Sequence, residues 1–124
     1  MKQEEKDLLL KDLSARLLYG VKANDDIQGD FTLIGLTKER VFTTCEVEGC
    51  HNDFPLENVK PYLFPPSSMT EEQKCEFIDT CTFLRNFAFG WTERTFDWLN
   101  KNHFDYRDLI KKGLAIDATN LNIY

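Results

Sequence analysis

Phosphate-cradling loops, nucleophile elbows, long apolar runs and an excess of positive charge are all missing from this 124-residue sequence. Its six glycines are scattered, and neither G-x-G-x-x-G nor G-K-[ST] occurs, so no backbone cradle for a nucleotide is encoded. There is no G-x-S-x-G turn to present a serine nucleophile. Only two histidines occur, which leaves few routes to imidazole catalysis. Lys and Arg number 15 against 21 Asp and Glu, a net charge of −6. Non-specific binding to a phosphate backbone needs the opposite balance, so nucleic acid is not an expected partner. Apolar runs extend for a few residues, far short of the ~20 that span a bilayer. The opening MKQEEKDLLLKDL sets charges on both sides of three leucines and lacks the roughly 7–15-residue apolar stretch of a secretory signal. These features predict a cytoplasmic protein without membrane partners, in a reducing compartment where cysteines are thiols or ligands.

What is present suits one domain spanning 1–124. Hydrophobic residues make up 42%, with ten Phe, enough for a core that needs no covalent staple. Leu9, Leu10, Leu13 and Leu17 fall within one sector of a helix expected over 3–18, with Lys11, Asp12, Ser14 and Arg16 mostly elsewhere and Gly20 closing it. A β region follows over 20–60. FTLIGL (31–36) and RVFTTCEV (40–47) flank the turn Thr37-Lys38-Glu39 as a hairpin, a third strand lies near Phe54, and LENV (56–59) reads as one helical turn. The prolines of KPYLFPPSS mark a boundary before a helical region over 68–113. One helix runs from Glu71 to Phe87, with Phe77, Cys81, Leu84 and Ala88 as its core stripe; a second is capped by Thr92, with Phe96 and Leu99 on one face. A last helix is capped by Asp105 and closed by Gly113, and the tail 114–124 either adds an edge strand or frays. The expected fold is α+β: an N-terminal helix, a small antiparallel sheet of about three strands, and two to three C-terminal helices.

Two stretches, ENVKPYLFPPSSMTEEQ (57–73) and WLNKNHFDYRDLIKKGLA (98–115), resemble a widespread family of short proteins encoded in gut-bacterial genomes, often among phage-like or mobile elements. No activity is assigned to that family. The resemblance implies a bacterial or phage-associated accessory protein and transfers no functional residue.

CEVEGCH (45–51) is the segment that looks most like chemistry. Structural zinc sites commonly use C-x₂₋₄-C knuckles in pairs; here the spacings are C-x₄-C-H over Cys45, Cys50 and His51 and C-x₅-C over Cys75 and Cys81, and the latter two point about 120° apart on a helix. No metal or other cofactor is expected. Alternation puts Cys45 inside a strand, with Cys50 and His51 at a turn. A thiolate at Cys75 is opposed by Glu71, Glu72, Glu76 and Asp79, so no catalytic cysteine is expected. His103, Asp105 and Arg107 form the richest polar cluster: an imidazole acid or base oriented by a carboxylate, with a guanidinium for an anion. Each also has a structural reading, Asp105 as a cap above all. The aromatics Phe83, Phe87, Phe89, Trp91, Phe96 and Trp98 outnumber what one helical stripe can bury, so they are either core or a contact surface, with Phe87, Phe89, Trp91 and Trp98 the candidates for the latter. The leading expectation is a non-enzymatic protein-interaction module, with self-association included. The alternatives are a small enzyme or ligand-binding protein at His103, Asp105 and Arg107, and an acidic inhibitor of a nucleic-acid-binding protein.

Overall fold

A computed structural model of the chain describes residues 1–27, 29–43, 53–83 and 89–124, with the backbone alone for Phe83 and Phe89. CEVEGCH and Phe87 lie outside the described residues.

Helix α1 (Gln3–Arg16) carries Glu4 and Glu5 in its first turn, where the helix dipole favours negative charge. It tightens into a 3₁₀ turn at Leu17–Tyr19 and stops at Gly20, whose φ of 67° is the left-handed closure that glycine adopts without strain. The buried stripe is Leu9, Asp12, Leu13 and Arg16, at i, i+3, i+4 and i+7. Asp12 and Arg16 therefore face inward, against expectation, and both are 0% exposed.

The sheet corrects the expected three strands. Among the described residues it has six, in the order β4-β3-β2-β1-β5-β8: β1 (Lys22–Asp25), β2 (Gly29–Leu36), β3 (Arg40–Thr43), β4 (Asp53–Pro55), β5 (Val59–Leu63) and β8 (Ile116–Asp117). It is mixed, because β5 and β8 run parallel while the other neighbours are antiparallel. The expected hairpin is there, with Leu36 opposite Val41 and Thr37 N–H donating to Arg40 O at 2.8 Å. The undercount has a physical source in β5. Pro61 lacks an amide donor and reads as a break, yet it sits opposite Ala23, and the strand is buried at Val59, Pro61, Tyr62 and Leu63. Tertiary burial outweighs local propensity there.

Helix α2 (Glu71–Thr80) starts in a reciprocal capping box: Gln73 N–H donates to Thr70 Oγ1 at 3.1 Å, and Thr70 N–H donates to Gln73 Oε1 at 2.9 Å. It ends at Thr80, seven residues before the expected Phe87, because Cys81 turns extended and Thr82–Phe83 (β6) pairs with Phe89–Gly90 (β7). Helix α3 (Glu93–Lys101) begins in a second capping box, Thr92 with Thr95. The hydroxyls of Thr92 and Thr95 both donate to Thr80 O, at 2.8 and 3.0 Å, fastening the end of α2 to the start of α3.

The expected third C-terminal helix is absent as such. Asp105 does cap, accepting from Leu109 N–H at 3.0 Å and Ile110 N–H at 2.9 Å, but Asp108 sits at φ 56°, which interrupts the run. What remains is a turn over 109–113. It closes with Leu114 N–H to Leu109 O at 2.8 Å and Gly113 N–H to Ile110 O at 3.1 Å, Gly113 holding φ 76°. Helix α3 closes the same way, with Phe104 N–H to Leu99 O at 2.9 Å, His103 N–H to Asn100 O at 3.2 Å, and His103 at φ 62°.

The core lies between α1 and the sheet: Leu9 and Leu13 pack with Val21, Ala23, Leu33, Val41, Leu56, Val59 and Leu63, and Leu109 and Leu114 join from the C-terminal turn. Each fully buried leucine of this kind contributes roughly 1.5–3 kcal/mol. Among the described residues, no helix is long and apolar enough to cross a membrane.

Candidate functional site

The two hydroxyls of the Thr92–Thr95 box, both donating to Thr80 O, fix the end of α2 against the start of α3, and an apolar cleft lies beside them. It encloses about 400 Å³ and is lined by Pro66, Met69, Phe77, Trp91, Leu99 and Tyr106, with Lys74, Asp105 and Asp108 at its polar margin. Trp91 stands perpendicular to Phe77 at a centroid distance of 5.8 Å, meets Phe96 edge-on at 5.4 Å, and meets Tyr106 at 6.2 Å and 80°. Edge-to-face pairs at this spacing add roughly 0.5–1.5 kcal/mol each beyond their buried area, so the wall is a connected unit. Trp91 is nonetheless 47% exposed and Phe96 40%. Solvent-facing aromatics beside an apolar hollow are unusual on a surface that covers nothing.

Tyr106 is held from three sides. Its hydroxyl donates to Asn100 Oδ1 at 2.9 Å, and its ring carries the Arg107 guanidinium at 4.5 Å and that of Arg16 at 5.2 Å. Behind it lies a buried charge node. Asp12 accepts from Arg16 Nε at 2.9 Å, Arg16 Nη2 at 3.1 Å and Arg107 Nη1 at 2.8 Å, and Arg16 Nη2 also donates to Phe104 O at 2.6 Å. One carboxylate thus ties α1 to the 104–107 turn through two guanidinium groups.

The structure draws the expected polar trio to three separate partners. Asp105 accepts from the backbone N–H groups of Arg107, Leu109 and Ile110. Arg107 pairs with Asp12. His103 is buried and stacks on Tyr124, rings 9° from parallel and 3.7 Å apart. Burial first, then the charges of Arg16 and Lys22, lower the imidazole to about 4, so it is neutral near pH 7. Its Nδ1, like Arg16 Nη1, has no hydrogen-bond partner among the described residues. Tyr124 is fastened in turn: its hydroxyl accepts from Lys22 N–H and donates to Tyr62 O, both at 2.8 Å, and burial raises the phenol to about 12.

Of the four aromatics expected at a contact surface, Trp91 lies at the cleft mouth. Trp98 turns to the other side of Phe77, stacked on Phe104 at 5.5 Å and 11°, its indole N–H donating to Glu76 Oε2 at 3.3 Å. Phe89 lies in β7, two residues before Trp91 in the chain. Cys75 is exposed and Cys81 half-buried. Among the described residues, no group of three His, Cys, Asp or Glu side chains is placed to hold a metal ion.

Sequence reasoning missed Asp12 and Arg16, although their spacing with Leu9 and Leu13 is that of one stripe. It also missed Met69, Phe77 and Tyr106 as cleft lining, since long-range docking brings them together. The two stretches that carry the family resemblance meet here, Phe64 N–H donating to His103 O and Asp105 N–H to Phe64 O, both at 2.8 Å. No protein-family model matches the chain, and comparison with curated proteins and with solved structures finds no match.

Proposed function

We propose that the protein is a non-enzymatic interaction module, of the accessory kind that its two resembling stretches suggest, and that it binds a protein partner through the Trp91 cleft. The observation that carries this reading is the pairing of a hollow of about 400 Å³ with an exposed Trp91 in its lining, which Phe96, also exposed, meets edge-on. Aromatic anchors around a concave apolar surface are the usual centre of a protein interface. The groups that could serve chemistry nearby support binding over catalysis: the Asp105 carboxylate is occupied by backbone donors, and Arg107 by Asp12.

The test is selection of a displayed random-peptide library on the native protein, with affinities measured for the winners. Trp91→Ala is expected to weaken them at least about tenfold, as an interface anchor does. Its circular dichroism should match the parent, since nearly half of Trp91 already faces solvent. Peptides whose affinity ignores Trp91, or a library that yields no binder, would remove the reading.

A further inference from the structure

The charge around the cleft specifies what kind of segment it takes; this step rests on the cleft being the binding surface. Lys74 lines the cleft, but its ammonium is paired with Glu71 Oε1 at 3.1 Å. Arg107, next in the chain to Tyr106, is committed to Asp12 and to the tyrosine ring. Asp105 is saturated by backbone donors. Asp108 differs from all of these. It is exposed at the margin of the cleft, and its carboxylate makes no hydrogen bond or ion pair among the described residues. The uncompensated charge at the mouth is therefore negative, on a chain whose net charge is −6. The exposed indole of Trp91 adds a π face, the side-chain surface that attracts cations best. Within the same molecule, a guanidinium already lies over the neighbouring Tyr106 ring at 4.5 Å.

We infer that the occupant is a basic polypeptide segment, with a bulky apolar side chain that fills the cleft and an adjacent Arg or Lys that sits between Trp91 and Asp108. The lining of Pro66, Met69, Phe77 and Leu99 supplies the apolar seat. The carboxylate sets the sign of the flank. An acidic segment would bring like charge against Asp108, and a neutral one would leave the carboxylate without a partner.

Three capped peptides test this, sharing one Leu-Phe core flanked by arginines, serines or glutamates, with binding read by anisotropy of a label on the peptide. At about 20 mM salt the arginine peptide is expected to bind about tenfold tighter than the glutamate peptide, shrinking to under about threefold at 0.5 M salt. Asp108→Asn keeps a residue that tolerates the left-handed backbone, and should remove most of the arginine preference while leaving the serine peptide unchanged. Equal, Trp91-dependent binding of all three peptides would overturn the charge inference and leave the interaction reading standing. Loss of any Trp91-dependent binding would overturn both. Trp91-dependent dimerisation without peptide preference would assign the cleft to a second copy instead.

Discussion

The chain closes two helical turns with one hydrogen-bond pattern, pivoting on His103 in one case and Gly113 in the other. At Gly113 the pivot is exposed, and a Cβ would meet nothing within 4 Å. The only demand there is a positive φ, and glycine meets it without strain. At His103 the same backbone carries a buried ring, despite a left-handed cost of about 1–2 kcal/mol for a residue with a side chain. What offsets it is contact: the stack on Tyr124, and the brace from Arg16 to the carbonyl of the following residue, Phe104. One closure is local geometry, while the other is a junction of α1, α3 and the C-terminal segment.

The largest way to break that contrast is to remove the carboxylate that holds the bracing Arg16. Asp12→Ala strands two guanidinium groups, one fully buried, and should cost about 3–5 kcal/mol in urea unfolding. Amide exchange should then accelerate at Phe104, while Leu114, across the Gly113 closure, keeps its protection relative to global unfolding. Acid comes next. The unfolded imidazole takes up its proton near 6.5, but the folded one only near 4, so the unfolded state binds more protons between these values. The stability that this group contributes is complete above pH 6.5 and is lost as pH falls toward 4, by roughly 3 kcal/mol. Unfolding free energies of the parent and His103→Asn across that window should converge by about this amount, and parallel curves would show the imidazole to be free to titrate. The smallest effects come from the pivots themselves. His103→Gly relieves the backbone but empties a buried stack, for a net loss of about 2 kcal/mol, and Gly113→Ala should cost about 1 kcal/mol. Equal losses at both sites, read by thermal melts, would erase the distinction.

The hairpin at Thr37–Glu39, the turn at 56–58, the Thr92 cap and the capping by Asp105 were all legible, because each rests on residues close in sequence. The strand through Pro61 was not, since its neighbours, 23 and 116, lie far along the chain. Asp12 and Arg16 were hidden by a rule of thumb: charge was read as solvent-facing, although periodicity placed both inside. At the cleft, the surplus of aromatics pointed to Trp91, but the rings that complete the wall come from α2 and the 105–108 turn. Asp105 is legible as a cap, and its two companions have structural readings as well, Arg107 paired with a neighbouring helix and His103 at the helix junction, but the particular partners, Asp12 and Tyr124, lie far along the chain.

The order of the sheet has a further bearing on association. Among the described residues its outermost strands are minimal: β4 spans three residues and ends in Pro55, which has no amide to offer, and β8 spans two. Strand addition by another chain needs a long open row of donors and acceptors, and β8 takes up part of that row on β5, at Tyr62 and Leu63. Short, proline-blunted borders discourage recruitment of extended segments and guard the native state against fibril-like stacking. Such borders favour contact through side chains over contact through the backbone.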